Sequence, residues 1–81
     1  MSKSKAPAIP NTHTLQVLME EYLQMLHEAE RGVRKVLSLD PTKEAFWDEL
    51  SDLYPHLTMI ESRSNSLQDE IDDLIAQLPE E

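Results

Sequence analysis

Apolar residues in the C-terminal half of the chain recur at alternating steps of four and three residues. The series is Phe46, Leu50, Leu53, Leu57, Ile60, Leu67, Ile71, Leu74 and Leu78, and Ser64 occupies the one slot that is not apolar. This spacing places the side chains on one face of an α-helix and is typical of coiled coils and helical bundles. A single helix over the whole region would have roughly 36 residues and a length of about 54 Å.

A second apolar stripe lies earlier in the chain and predicts another amphipathic helix. Its members recur at heptad spacing, with Gly32 in the remaining slot: Leu15, Leu18, Tyr22, Met25, Ala29 and Val36. Met19, Leu26 and Val33 widen the stripe on one side, which suits a helix with two neighbours better than a thin dimer seam. Gly32 indicates either a close helix crossing or a contact point for another backbone.

The two stripes are separated by a short segment that contains Asp40 and Pro41. Aspartate is a favoured N-cap, and proline is favoured at the first helical position because its missing N–H has no partner there in any case. We therefore expect Asp40 to cap the second helix. A short connection also predicts that the second helix folds back antiparallel on the first.

Two places in the second stripe weaken the helical prediction. Pro55 removes a backbone hydrogen bond and should kink or break the helix. The segment Ser62–Ser66 is rich in residues that prefer caps to helix interiors. The fold class is therefore all-α, either an antiparallel helical hairpin with a long kinked second helix or a small three-helix bundle. The unbroken apolar phase favours the hairpin, in which a first helix of about 26 residues would leave Leu67–Leu78 uncovered.

Composition and length predict one small domain that needs help to be stable. Residues 1–11 predict a disordered basic tail, residues 12–79 a single helical domain and residues 80–81 an acidic end. A core of this size supplies roughly 3–5 kcal/mol, and no cysteine is present to form a disulfide. Self-association or a protein partner is the remaining source of stability, and a homodimer is the first expectation.

The charge is distributed unevenly along the chain. Residues 1–39 carry five basic and four acidic side chains, a sum of +1, whereas residues 40–81 carry two basic and twelve acidic side chains, a sum of −10. Such an acidic half argues against direct binding of nucleic acid or of anionic lipid. No apolar run approaches the roughly 20 residues that cross a bilayer, and no secretory signal is evident, so we expect a cytoplasmic protein.

No residue pattern predicts catalysis, a metal or a cofactor. His13, His27 and His56 belong to no zinc-ligand motif and are expected on the surface. The acidic run Asp69–Asp73 lacks the glycine of a calcium-binding loop and predicts a solvated helix face. Nucleophile elbows and phosphate-binding loops are absent from the sequence, so we expect a protein that is not an enzyme.

Trp47 and Tyr54 lie one position past Phe46 and Leu53 and form a shoulder beside the stripe. They either complete the edge of the core or present an exposed aromatic anchor with an acidic rim. Tryptophan and tyrosine are enriched at interface hot spots, and an acidic rim would select a basic partner.

Two functional hypotheses follow from these patterns. The first is a helical protein–protein interaction module that binds another protein or its own copy through Trp47, Tyr54, Leu67, Ile71, Leu74 and Leu78. In shape it resembles small acidic helical-hairpin adaptors and secretion-chaperone-like subunits. The second is an acidic inhibitor or nucleic-acid mimic that blocks the basic groove of a nucleic-acid-binding protein. Its working surface would be Asp48, Glu49, Asp52, Asp69, Glu70, Asp72 and Asp73.

Overall fold

The structure, a computed structural model, describes residues 9–79 and contains two α-helices in that range. Helix α1 spans His13–Leu37 and helix α2 spans Glu44–Ala76. The two helices pack against each other along their length and form an antiparallel hairpin. The predicted all-α hairpin is confirmed. Residues 1–8 of the predicted tail and the predicted acidic end at 80–81 lie outside the described residues.

Helix α2 continues through both weak points of its sequence. Pro55 lies inside the helix, and Ser62–Ser66 is helical throughout, so the third helix of the alternative bundle does not form. Contacts with α1 explain this result, because helices in proteins owe most of their stability to packing rather than to propensity. Leu53 is buried before the proline, and Ser64 is half-buried between the helices. Arg63 forms an ion pair with Glu21 of α1.

The connection between the helices differs from the sequence prediction. Asp40 does not cap α2, and Pro41 is not its first residue, because the helix begins at Glu44 with Lys43 as N-cap. The Asp40 carboxylate instead accepts hydrogen bonds from the backbone N–H and the hydroxyl of Thr42, at 2.9 and 2.8 Å. The N–H of Lys43 donates to the Asp40 carbonyl at 2.9 Å and closes a separate turn. The backbone at Lys43 is extended (φ −107°, ψ 150°), so the helix begins only at the next residue, Glu44.

The helices pack tightly against each other at Gly32. A Cβ atom at this position would lie 3.0 Å from Cδ1 of Leu53, so glycine leaves the room that the leucine occupies. Leu53, Ala29 and Val36 are the buried apolar residues of the described chain, each with at most 9% of its surface exposed. The packing explanation of Gly32 therefore agrees with the structure, and the core is small and centred on this crossing.

Candidate interaction surface

One long side of the hairpin carries a series of polar contacts between the helices, two of which are ion pairs. Lys35 Nζ lies 3.0 Å from Glu49 Oε2, and Arg63 Nη1 lies 2.9 Å from Glu21 Oε1. Between them, His56 Nδ1 lies 3.9 Å from Glu28 Oε1. Successive members are seven residues apart on each helix, so all three pairs lie on the same side of the seam. We call this the polar side.

The opposite long side is apolar. In α1, Met19, Leu26 and Val33 each come one position after a residue of the stripe that faces α2. Glu21, Glu28 and Lys35 each come one position before such a residue. The two sets therefore lie on opposite flanks of the helix. Most exposed large apolar side chains of both helices share this flank, which we call the apolar side. Its members are Met19, Leu23, Leu26, Val33, Leu37, Trp47, Leu50, Tyr54, Leu57, Ile71, Ile75 and Leu78.

The apolar side contains two grooves along the junction of the helices. The central groove has a volume of about 310 Å³ and is lined by Met19, Glu20, Tyr22, Leu23, Leu26 and Leu67. The open-end groove has a volume of about 240 Å³ and lies where the two chain ends meet. It is lined by Ile9, Pro10, Thr12, Leu15, Ile71, Leu74, Ile75 and Leu78. A smaller cavity of about 70 Å³ on the polar side includes Glu28, Glu49 and His56 instead.

The two aromatic side chains of the shoulder project from the apolar side, Trp47 near the closed end of the hairpin and Tyr54 two turns of α2 further along. Trp47 is 56% exposed and Tyr54 is 72% exposed, so neither completes the core. The indole is nevertheless held in place, because its Nε1–H donates to the Pro41 carbonyl at 2.9 Å and its ring meets Phe46 edge to face at 5.1 Å. The geometry agrees with the exposed-anchor alternative.

The other sequence-predicted partner residues lie toward the open end. Leu67 and Leu74 are half-buried, whereas Ile71 and Leu78 are more exposed. The overhang of α2 is shorter than expected, because Leu67 lies beside Met19 and Tyr22 of α1 and because Ile9–Thr12 extends along the last turns of α2. These four residues contribute to the two grooves rather than to a bare helix arm.

The sequence-predicted acidic residues do not form one continuous surface. Glu49 pairs with Lys35, while Asp48 and Asp52 lie nearby and are exposed. The group Asp69, Glu70, Asp72 and Asp73 begins seventeen residues after Asp52, about 25 Å further along the helix. His56 and Arg63 lie between the two groups and pair with α1.

The seven-residue steps of the polar contacts and the two grooves were not predicted from the sequence. Glu21, Glu28 and Lys35 recur at the same interval as Glu49, His56 and Arg63, and that shared interval was the signal. Within residues 9–79, no helix is long and apolar enough to cross a membrane, and no group of three or more His, Asp or Glu side chains could hold a metal ion. Comparison with protein-family models, curated proteins and solved structures found no match to this chain.

Proposed function

We propose that this protein is a non-enzymatic helical interaction module, an adaptor, assembly or chaperone-like subunit, which binds another protein or its own copy through the apolar side. The observation that carries the proposal is the separation of the two sides. Twelve of the fifteen exposed large apolar side chains belong to the apolar side, and Ile9, which precedes α1, also lines its open-end groove. The exceptions are Val17 and Met59. Random surface variation would scatter such residues singly.

The size of the apolar side supports an interface. At ordinary side-chain dimensions, its twelve members expose on the order of 1,000 Å². The largest apolar patch of a typical monomer is roughly 300–600 Å², and a standard protein–protein interface covers about 800 Å² on each partner. The small core of the hairpin adds a second reason, since partner binding would supply the burial that two helices alone lack.

The alternative function, a mimic of nucleic acid, receives less support from the geometry. Carboxylates that imitate a phosphate backbone need to follow one another at short intervals, but the acidic groups of α2 are separated by the segment that carries His56 and Arg63. The mimic hypothesis also predicts binding that weakens steeply with salt.

A matched pair of substitutions tests the proposal in the full chain. Leu23 on the apolar side and Met59 on the other side are both 53% exposed and both lie within helices. Leu23→Asp should abolish association, measured as solution mass by light scattering and as partners retained from the source cells after a 1 M salt wash. Met59→Asp should bind like the unmodified chain. Equal binding by both variants, or no association by the unmodified chain, would overturn the proposal.

A further inference from the structure

We infer that the occupant of the apolar side is a second copy of this chain, packed antiparallel, with Trp47 and Tyr54 of each copy seated in the two grooves of the other. This inference rests on the proposed function and names the partner and the geometry. The observation behind it is that Trp47 projects near one end of the hairpin and Tyr54 seven residues further along α2, whereas both grooves lie beyond them, at the middle of the hairpin and at its other end.

The ion pairs between the helices show which residue of α1 lies level with each residue of α2 along the hairpin axis. Since Lys35 faces Glu49 and Glu21 faces Arg63, Trp47 lies at the level of Leu37 and Tyr54 at the level of Glu30. The open-end groove includes Thr12 and Leu15, so a chain's own Trp47 is about 35 Å from it along the helix axis. The indole therefore cannot fill the open-end groove of its own chain.

A second copy turned end for end brings the aromatic side chains to the grooves. A twofold axis perpendicular to the hairpin, between Gln24 and Met25, moves Trp47 to the level of Thr12 of the other copy. The same axis moves Tyr54 to the level of Met19. Thr12 lines the open-end groove and Met19 lines the central groove, so one axis satisfies both aromatic side chains.

The spacing between the two aromatic side chains also agrees with the spacing between the two grooves. Trp47 and Tyr54 are seven residues apart, about 10 Å along the helix. In α1 and its N-cap Thr12, the residues that line the central groove and those that line the open-end groove are centred about nine residues apart, or about 13 Å. The difference is smaller than the width of one aromatic ring. Because the interface is isologous, each contact occurs twice and all four grooves are filled.

The resulting dimer is an antiparallel four-helix bundle, an arrangement that buries one apolar side of each hairpin in a shared core. The polar sides, with the Glu21–Arg63 and Lys35–Glu49 pairs, remain on the outside. The chain carries a net charge of −9, so two copies repel each other at long range. Salt screens that repulsion, and association should therefore be unchanged or stronger at high salt.

The first test measures mass and tryptophan emission together on the unmodified chain across a concentration series. Trp47 is the single tryptophan, so its emission reports the interface directly. We expect twice the chain mass of 9.3 kDa and a shift of emission to shorter wavelength over the same concentration range. A monomer at every concentration, or a dimer whose emission does not shift, would overturn the inference.

Substitutions locate the contact. Tyr54→Ala should raise the dimer dissociation constant at least tenfold, whereas Met59→Ala, on the other side of the hairpin, should change it by less than twofold. Tyr54 is the preferred site, because Trp47 also holds the turn through Pro41 and its removal could disturb the fold. Circular dichroism of each variant checks that helix content is retained.

Orientation is measured with spin labels on single cysteines, which the cysteine-free chain makes unambiguous. Ser62 is exposed near the middle of the hairpin and Thr42 is exposed at its closed end. In the antiparallel dimer, labels at Thr42→Cys should be about 50 Å apart, and labels at Ser62→Cys should be closer together. A short distance between Thr42→Cys labels would mean a parallel dimer and would contradict the inference.

The outcomes separate this inference from the proposed function. If the chain is a monomer but retains a protein of different sequence in a manner that Leu23→Asp abolishes, the second copy is wrong and the interaction module stands. A parallel dimer that Leu23→Asp abolishes would likewise contradict the antiparallel second copy and support the interaction module. If the unmodified chain forms no dimer and retains no partner, both fail.

Discussion

The two long sides of the hairpin are built from the same helices but differ in chemistry. On the polar side, residues seven apart form two ion pairs and one histidine–glutamate contact between exposed or partly exposed groups. On the apolar side, large apolar side chains remain exposed and line two open grooves. The polar groups of one side are therefore paired within the hairpin, whereas the apolar groups of the other side are left exposed.

The two sides should also contribute differently to stability. Exposed ion pairs are worth roughly 0–1 kcal/mol each, so the polar side mainly fixes which residues of the helices face each other. Apolar burial is worth about 25 cal/mol per Å², so an occupant of the apolar side would contribute more than all three pairs together. Substitutions along the seam and on each side make this comparison testable.

The largest effect on stability is expected at the contact between the two helices, where Leu53 packs on Gly32. Leu53→Ala removes the buried side chain that packs on Gly32 and should lower the free energy of unfolding by about 2–4 kcal/mol. Urea unfolding monitored by circular dichroism measures the loss. A change below 1 kcal/mol would mean that the crossing at Gly32 is not the centre of the core.

A smaller effect is expected from filling the same crossing. Gly32→Leu places a large side chain where Leu53 already lies and should cost about 1–3 kcal/mol through overpacking. Gly32→Ala is the control, because its Cβ needs only a slight shift of the Leu53 methyl and gains about 1 kcal/mol of helix propensity. We expect the alanine variant to stay within about 1 kcal/mol of the unmodified chain. Equal destabilisation by both would contradict the role assigned to side-chain volume.

The polar side should respond weakly and in a salt-dependent manner. Lys35→Glu places two carboxylates together at Glu49 and should cost up to about 1 kcal/mol at low salt. The charge-swapped pair, Lys35→Glu with Glu49→Lys, should recover most of that loss. In 1 M salt the difference between the single and double variants should shrink. A coupling energy well above 1 kcal/mol would show that the polar side does more than set the alignment of the helices.

The smallest effect is expected at the turn. Hydrogen bonds from the backbone N–H and then the hydroxyl of Thr42 lower the pKa of the Asp40 carboxyl below its usual 3.8. Because the folded-state pKa is the lower one, the carboxylate stabilises the turn above the unfolded pKa, and this contribution is lost as the pH falls through the folded value. Asp40→Ala should therefore lower Tm slightly at pH 6 and not at pH 2. A Tm difference that is equal at both values would contradict the ionic origin.

The architecture was largely predictable from sequence because it depends on periodicity. The unbroken phase from Phe46 to Leu78 predicted that one helix would pass Pro55, and it does. The turn was not predictable at the same level, because Asp40 and Pro41 satisfy the requirements of a helix start and of a free-standing turn equally well. The choice depends on the backbone conformation of Lys43, which no residue preference fixes.

The candidate surface was predictable only in part, for a physical reason. Trp47 and Tyr54 were identified because each lies at the edge of the second stripe, and Leu78 because it belongs to that stripe beyond the expected reach of the first helix. Leu23 and Ile75 were missed, since membership of the apolar side depends on which flank of α1 meets which flank of α2. That alignment is set by contacts such as Glu21 with Arg63, which are 42 residues apart in the chain.

The seven-residue interval of the ion pairs also limits how the chain can change in length. One residue inserted between His56 and Arg63 would rotate the rest of α2 by about 100° and carry Arg63 away from Glu21. The same rotation would turn Ile71 and Leu78 out of their groove. Relatives of this chain with longer or shorter hairpins should therefore differ by whole heptads in both helices at once, whereas the turn around Pro41 can gain or lose single residues.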